Sequence, residues 1–312
     1  YKFNFSKYLP ILGKIKSRFS FILFFILGFV PLLKIIKKNK PEFIIIHLIT
    51  SLPLILLLLF NFKTKFILRI SGMPKMNFIR RNFWKLALKK VYCVTCPTIN
   101  TLNYLKNLNI VHDQKLKILY DPVLEIQKIQ NKKKEKIDLN NYFLAVGRLT
   151  KQKNFIFLCK AFHKIVLKFP NAKLLIAGDG EDKKIINSYI IQNKLEKNII
   201  LLGHVENVYS LMTNAKLFIL SSLWEDPGFV LVEALFCRTL VLTSNCKTGP
   251  AELIKDKKNG YVFESNNIES FINKFNELNE IHNNFKLKAN GLKMVKKFTL
   301  FDHYISFNQI VL

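Results

Sequence analysis

The stretch Leu217-Phe218-Ile219-Leu220-Ser221-Ser222-Leu223-Trp224-Glu225-Asp226-Pro227-Gly228-Phe229-Val230-Leu231-Val232-Glu233-Ala234 decides how the chain folds. Leu217 to Leu220 is apolar without a break, the pattern of a strand buried on both faces. Pro227-Gly228 sets a turn, and the apolar run Phe229 to Cys237 reads as a helix beginning at about Gly228. The same unit recurs on either side. Tyr142 to Val146, Lys173 to Ala177, Ile199 to Leu202, Val241 to Ser244 and Gly260 to Phe263 read as further buried strands. Phe155 to Phe169, Asp182 to Asn193 and Val208 to Asn214 read as helices between them. Strict β/α alternation predicts a parallel, doubly wound sheet that binds ligands at the carboxyl ends of its strands.

Upstream, strands are expected at Phe43 to His47, Lys65 to Ile70, Val91 to Cys96 and Lys117 to Leu119, again with helices between. The polar, Lys-rich stretch Gln127 to Asn141 reads as a linker. A length of 312 residues suits two domains, 1–138 and 139–312, each an α/β layer structure, facing one another across a cleft.

Half of the residues are hydrophobic, which excludes a wholly disordered chain. The formal net charge is +28 and it is uneven: residues 1–140 carry +20 of it. The first half is therefore the place to expect an anionic partner, such as a membrane surface or a phosphorylated substrate. Five cysteines (Cys93, Cys96, Cys159, Cys237, Cys246) are too few and too odd in number for a disulfide framework, so a reducing cytoplasm is expected. Cys93-Val94-Thr95-Cys96 has metal or redox spacing, but it lies in an apolar run with no second pair, and buried strand cysteines are expected. Two apolar runs imitate membrane spans. Phe43 to Phe60 contains His47, Thr50, Ser51 and Pro53 and reads as strand, turn and buried helix. Phe19 to Leu33 is short of the roughly 20 residues a span needs. Flanked by Lys14, Lys16 and Arg18 before and Lys34, Lys37, Lys38 and Lys40 after, it is either a core helix or a helix lying on an anionic leaflet. Tyr1 opens mid-pattern, with neither start Met nor signal peptide, and the first domain is expected to be incomplete.

Three strand-end turns carry candidate chemistry. Gly147-Arg148, with Lys153 before the next helix, sets two cations at the carboxyl edge of the sheet, suited to a diphosphate and to charge developing on a leaving group without a metal. Ala177-Gly178-Asp179-Gly180-Glu181 is a Gly-rich turn too short for a dinucleotide fingerprint. Gly203-His204-Val205 follows the next strand, and adjacent turns with small residues let a flat base approach backbone groups. In the opening stretch, the helix beginning near Gly228 points amides into the same crevice, an anion site beside Arg148 and Lys153. Glu233 lies among apolar neighbours in that helix. A carboxylate there needs a partner, and sugar hydroxyls supply donors.

Gly147-Arg148 with Lys153, the Gly178 to Glu181 turn, and Glu225 and Glu233 in the frame Trp-Glu-Asp-Pro-Gly-Phe-Val-Leu-Val-Glu-Ala resemble the nucleotide-sugar domain of GT-B glycosyltransferases of the retaining family-four type. Thr248-Gly249-Pro250-Ala251-Glu252 is similar to that family's next Gly-rich turn. The resemblance spans Tyr142 to about Phe275 and implies two Rossmann-like domains. It also implies transfer of a hexose or N-acetylhexosamine from a UDP- or GDP-sugar to a glycan or lipid-linked acceptor, with retention and without metal or other cofactor. In that reading Arg148 and Lys153 hold the diphosphate, Glu225 contacts the donor sugar and Glu233 the ribose. Gly147, Gly180 and Gly203 line the donor site, and Gly228, Phe229 and Val230 lend it backbone amides. Lys40-Pro41-Glu42-Phe43-Ile44-Ile45-Ile46-His47 is similar to the family's Lys-Pro-Asp strand. The strand where the family places a catalytic histidine ends here in Arg69-Ile70-Ser71-Gly72, and His47 lies one strand earlier. The expected role is in polysaccharide or lipopolysaccharide synthesis, in the cytoplasm and peripheral on the inner face of the membrane.

Three rivals stand beside it. A sugar-nucleotide epimerase or a phosphorylase shares the architecture, and an integral membrane protein would use the two apolar runs. A basic nucleic-acid-binding protein would explain the charge, but no RNP-like, helix-turn-helix or zinc pattern accompanies it, so nucleic acid is not expected as a partner.

Overall fold

A computed structural model describes residues 14–135, 137–246, 248–280 and 284–312. The chain divides into two compact units, Tyr1–Cys96 with Thr101–Ile118, and Pro97–Asn100 with Leu119–Leu312.

The first unit holds α1 (Lys14–Asn39), β1 (Phe43–His47), α2 (Ser51–Leu59), β2 (Lys65–Arg69), α3 (Phe78–Ala87), β3 (Cys93–Cys96) and β4 (Leu116–Ile118), with most of α4 (Ile99–Asn107). Its parallel strands lie in consecutive order, β1-β2-β3-β4. Right-handed crossovers between consecutive parallel strands place their helices on one face. The register agrees: Ile46, Leu68, Val94 and Leu116 form one row across the sheet and share a core with Leu54, Trp84 and Leu105 from the helices. The next row, His47, Arg69, Thr95 and Lys117, therefore falls on the opposite face at the carboxyl edge. The run Phe43 to Phe60 is the strand, turn and buried helix expected, with Leu54 and Leu56 fully buried in α2. Phe19 to Leu33 lies within α1, which sends Ile36 to the core but leaves Ile22, Ile26 and Val30 more than half exposed. Lys34, Lys37, Lys38 and Lys40 are exposed, while the side chains of Lys14, Lys16 and Arg18 lie outside the described residues. Among the described residues no helix is long and apolar enough to cross a membrane. All five cysteines are buried, and burial pushes the Cys93 thiol up to about 11.

The second unit begins with a correction. The stretch read as a linker holds most of α5 (Ile126–Lys132), whose Ile129 turns inward and is completely buried in the unit's core beside Leu124, which precedes the helix. Then follow β5 (Phe143–Val146), α6 (Phe155–Lys168), β6 (Leu174–Ala177), α7 (Lys183–Gln192), β7 (Ile199–Gly203), α8 (Val208–Asn214), β8 (Leu217–Leu220), α9 (Phe229–Phe236), β9 (Val241–Ser244), α10 (Pro250–Leu253) and β10 (Tyr261–Phe263). Three helices the sequence reading did not reach close the chain, α11 (Ile268–Asn279), α12 (Phe285–Val295) and α13 (Leu300–Val311). The parallel strands order as β10-β9-β8-β5-β6-β7. Alternate residues feed two cores: Leu144, Val146, Phe218 and Leu220 on one face, Ala145, Leu217 and Ile219 on the other. That is why these strands read as unbroken apolar runs. Strand order reverses between β5 and β8, so the connections after these two neighbours diverge and open a crevice beyond their carboxyl ends.

Candidate functional site

The loops after β5 and β8 are sewn together at that switch point. Leu223 N–H donates to Gln152 O at 2.8 Å and the Gln152 amide donates to Trp224 O at 2.9 Å. Ser221 Oγ donates to Lys153 O at 2.9 Å. These bonds fix the backbone of Lys153 against the segment that carries Glu225. The side chains follow: Lys153 Nζ donates to Glu225 Oε1, and Ser222 Oγ donates to the same oxygen at 2.6 Å. Lys153 is 12% and Glu225 6% exposed in the side chain, so the pair is largely withdrawn from water. Ser222 is held in turn by Ser244, whose hydroxyl donates to Ser222 O at 2.6 Å. No motif in the sequence marks Ser222; its one signal is its place three residues before Glu225.

The turn after β6 closes the same edge. Gly147 N–H donates to Ala177 O at 3.0 Å and Gly178 N–H to Gly203 O at 2.7 Å, which brings the three strand-end glycines into a row. Leu149 N–H donates to Asp179 O and Asp182 N–H to Leu149 O, lacing the Gly178 to Asp182 turn onto the loop of Arg148. The approach is close enough that a Cβ on Gly178 would lie 1.9 Å from Gly147 O and one on Gly180 2.4 Å from Leu149 O. The stem of Lys153 packs on Gly147, 3.1 Å from where a Cβ would stand. Arg148 is exposed, and no hydrogen bond or ion pair among the described residues holds its guanidinium.

Gly228 caps α9 with φ +90°, a left-handed backbone that glycine adopts without a Cβ penalty. It stands 3.5 Å from Glu225, measured from the position of an added Cβ. In α9 the first N–H groups that find an acceptor are those of Leu231 and Val232, both bonding to Gly228 O. Among the described residues no backbone acceptor meets the amides of Phe229 and Val230, the orphan donors of the helix start. Aligned peptide dipoles make that end attractive to anions. The backbone of Gly249 approaches this turn closely: a Cβ there would lie 1.8 Å from Pro227 O.

Glu233 sits farther along α9, half-buried, and Tyr209 Oη donates to its Oε1 at 3.0 Å. Burial raises its carboxyl pKa, while the Tyr209 hydroxyl and the charge of Lys128 pull it down. No sequence motif marked Tyr209. The structure thus brings Gly147, Lys153, Gly180, Gly203, Glu225, Gly228, Phe229 and Val230 to the carboxyl edge of one sheet, with Arg148 on its rim and Glu233 down the helix.

The profile of the family described as Glycosyl transferases group 1 matches residues 126–291. An uncharacterized glycosyltransferase of Methanocaldococcus jannaschii is 34% identical over 244 residues, 72% of this chain and 60% of that protein. The N-acetylgalactosamine-N,N'-diacetylbacillosaminyl-diphospho-undecaprenol 4-alpha-N-acetylgalactosaminyltransferase of Campylobacter jejuni is 29% identical over 222 residues, covering 68% and 60%. The chain thus spans about 60% of the length of these two relatives. Among solved structures, Anabaena Alr3699/HepE in complex with UDP and glucose superposes with a TM-score of 0.70 at 17% identity, covering 89% of this chain and 79% of that one. That likeness shows the fold, GT-B.

Proposed function

The chain belongs to the glycosyl transferases group 1 family, and from that premise we propose that it transfers a hexose or N-acetylhexosamine from a UDP- or GDP-sugar to a lipid-linked or glycan acceptor. The observation that carries the reading is the convergence of Lys153, Glu225 and the start of α9 at the switch point. The Anabaena structure holds UDP, and the name of the Campylobacter relative specifies an undecaprenol diphosphate acceptor.

Transfer breaks the bond between the sugar's C1 and the diphosphate oxygen, and its electron pair leaves with the phosphate. The cost is set by charge appearing on that oxygen. Arg148, Lys153 and the amides of Phe229 and Val230 are assigned to it, because preorganised donors stabilise a charge as it develops. Glu225 meets the donor sugar, Glu233 the ribose, and Gly147, Gly180, Gly203 and Gly228 give the nucleotide room at the backbone. Retention of configuration, with no metal assigned, belongs to the same proposal. A thermal-shift panel tests the donor: the wild-type protein should be stabilised by UDP- or GDP-sugars, and no shift with any nucleotide sugar removes the reading.

The first unit is proposed to face an anionic acceptor at the inner surface of a membrane, as a peripheral cytoplasmic protein. The basic row His47, Arg69 and Lys117 at its sheet edge supports this. So do the exposed stripe Ile22, Ile26 and Val30 beside Lys34, Lys37 and Lys38, and the exposed Phe78 and Ile79 at the start of α3 beside Arg80 and Arg81. Apolar groups among bases suit an anionic leaflet. The protein should float with phosphatidylglycerol vesicles at low salt and be partly released at high salt; flotation equal on neutral vesicles, or none, contradicts it.

A further inference from the structure

Tyr209 lies in the first turn of α8 and its hydroxyl reaches Glu233 on the neighbouring α9. Its own position is over-determined. Asn207 Oδ1 accepts the N–H groups of Tyr209 and Ser210 at 3.2 and 3.4 Å, while Asn207 Nδ2 donates to Lys132 O at 2.9 Å and Glu135 Oε2 at 2.6 Å. In the middle of the helix the buried Tyr142 Oη, just before β5, donates to Leu211 O at 2.7 Å. The phenol therefore arrives at Glu233 from a helix that is held at its start and again at its middle. Burial and the adjacent carboxylate push the Tyr209 hydroxyl well above its ordinary pKa, so at neutral pH it stays an O–H donor.

Among the described residues this is the one hydrogen bond made to the Glu233 carboxylate, and it engages Oε1 alone. A carboxylate anchored through one oxygen presents the other in a fixed direction. Two adjacent hydroxyls need that direction more than a single hydroxyl does, because both must be met by one planar group. Preorganisation of this kind raises affinity by removing the ordering cost of the receptor. A site built to bond a hydroxyl also discriminates against the analogue that lacks it.

We propose that Tyr209 is a positioning residue that fixes the Glu233 carboxylate toward a ribose diol and thereby sets a preference for ribonucleotide over 2′-deoxyribonucleotide donors. The proposal rests on the assignment of Glu233 to the ribose. Calorimetric titration of UDP, GDP and their 2′-deoxy counterparts into the wild type, Tyr209→Phe and Glu233→Gln separates the two. The wild type should favour the ribo form by about tenfold or more, the order expected when a charged group loses its hydroxyl partner. Tyr209→Phe should cut that ratio by about threefold or more while leaving the affinity for the 2′-deoxy nucleotide within about twofold, which also certifies that the site is folded. Glu233→Gln should flatten the ratio further. A wild-type ratio in Tyr209→Phe with a lost ratio in Glu233→Gln overturns the positioning role alone. A ratio unchanged in both, or no ribo preference in the wild type, overturns the ribose assignment and the proposal with it.

Discussion

Lys153→Ala is expected to lower nucleoside diphosphate release from the donor by about 10²- to 10³-fold, the scale seen when one preorganised donor to a developing oxyanion is removed. Two consequences of the substitution have to be separated. Removing Lys153 takes away one of the two cations assigned to the diphosphate, and it also leaves Glu225 as a buried carboxylate whose remaining hydrogen bond among the described residues comes from Ser222. Breaking a buried ion pair from one side costs about 3–5 kcal/mol, so the melting temperature should fall together with the rate. Neutralising both partners removes the stranded charge. Lys153→Met combined with Glu225→Gln should therefore recover most of the stability lost in Lys153→Ala, and none of the activity. Recovery of both would mean that Lys153 serves the fold and not the transfer; a single Lys153→Ala variant within about tenfold of the wild-type rate would say the same.

The donor side of this account was legible in sequence for a physical reason. Residues that act at a parallel sheet's carboxyl edge must follow strands, and β5, β6 and β8 are unbroken apolar runs because each is buried on both faces, while the edge strand β7 is half-buried on both. Gly147, Arg148, Lys153 and Glu225 could then be placed by counting from the last apolar residue. What lies across the sheet could not be counted. Ser222 and Tyr209 join the site through hydrogen bonds to Glu225 and Glu233, and such partners depend on which strands are neighbours. The polar composition of Gln127 to Asn141 concealed α5, since a helix at the edge of a core needs few apolar positions and the buried Ile129 is the one it sends inward. In the first unit, each strand offers one face to the common core, and the rows across the sheet became visible only once the register was known.

Arg148 occupies a different position from Lys153. It is exposed on the rim and engaged by no described side chain, so removing it strands no buried charge and should leave stability nearly unchanged. Its loss reports on ligand charge alone. Hydrogen bonds to charged groups contribute about 1.5–3 kcal/mol, which corresponds to roughly 10- to 100-fold in affinity. The phosphate farther from the nucleoside is where that affinity should appear, because it carries the extra charge distinguishing a diphosphate from a monophosphate.

Calorimetric titration of UDP against UMP, and of GDP against GMP, into the wild type and Arg148→Ala at low ionic strength isolates this contribution. The wild type should bind one of the diphosphates at least about tenfold more tightly than its monophosphate, and Arg148→Ala should remove most of that difference while leaving monophosphate affinity within about twofold. Equal affinities for diphosphate and monophosphate in the wild type, or a difference left undiminished in Arg148→Ala, would contradict the account of a diphosphate site at the β5 and β8 switch point with Arg148 on its rim.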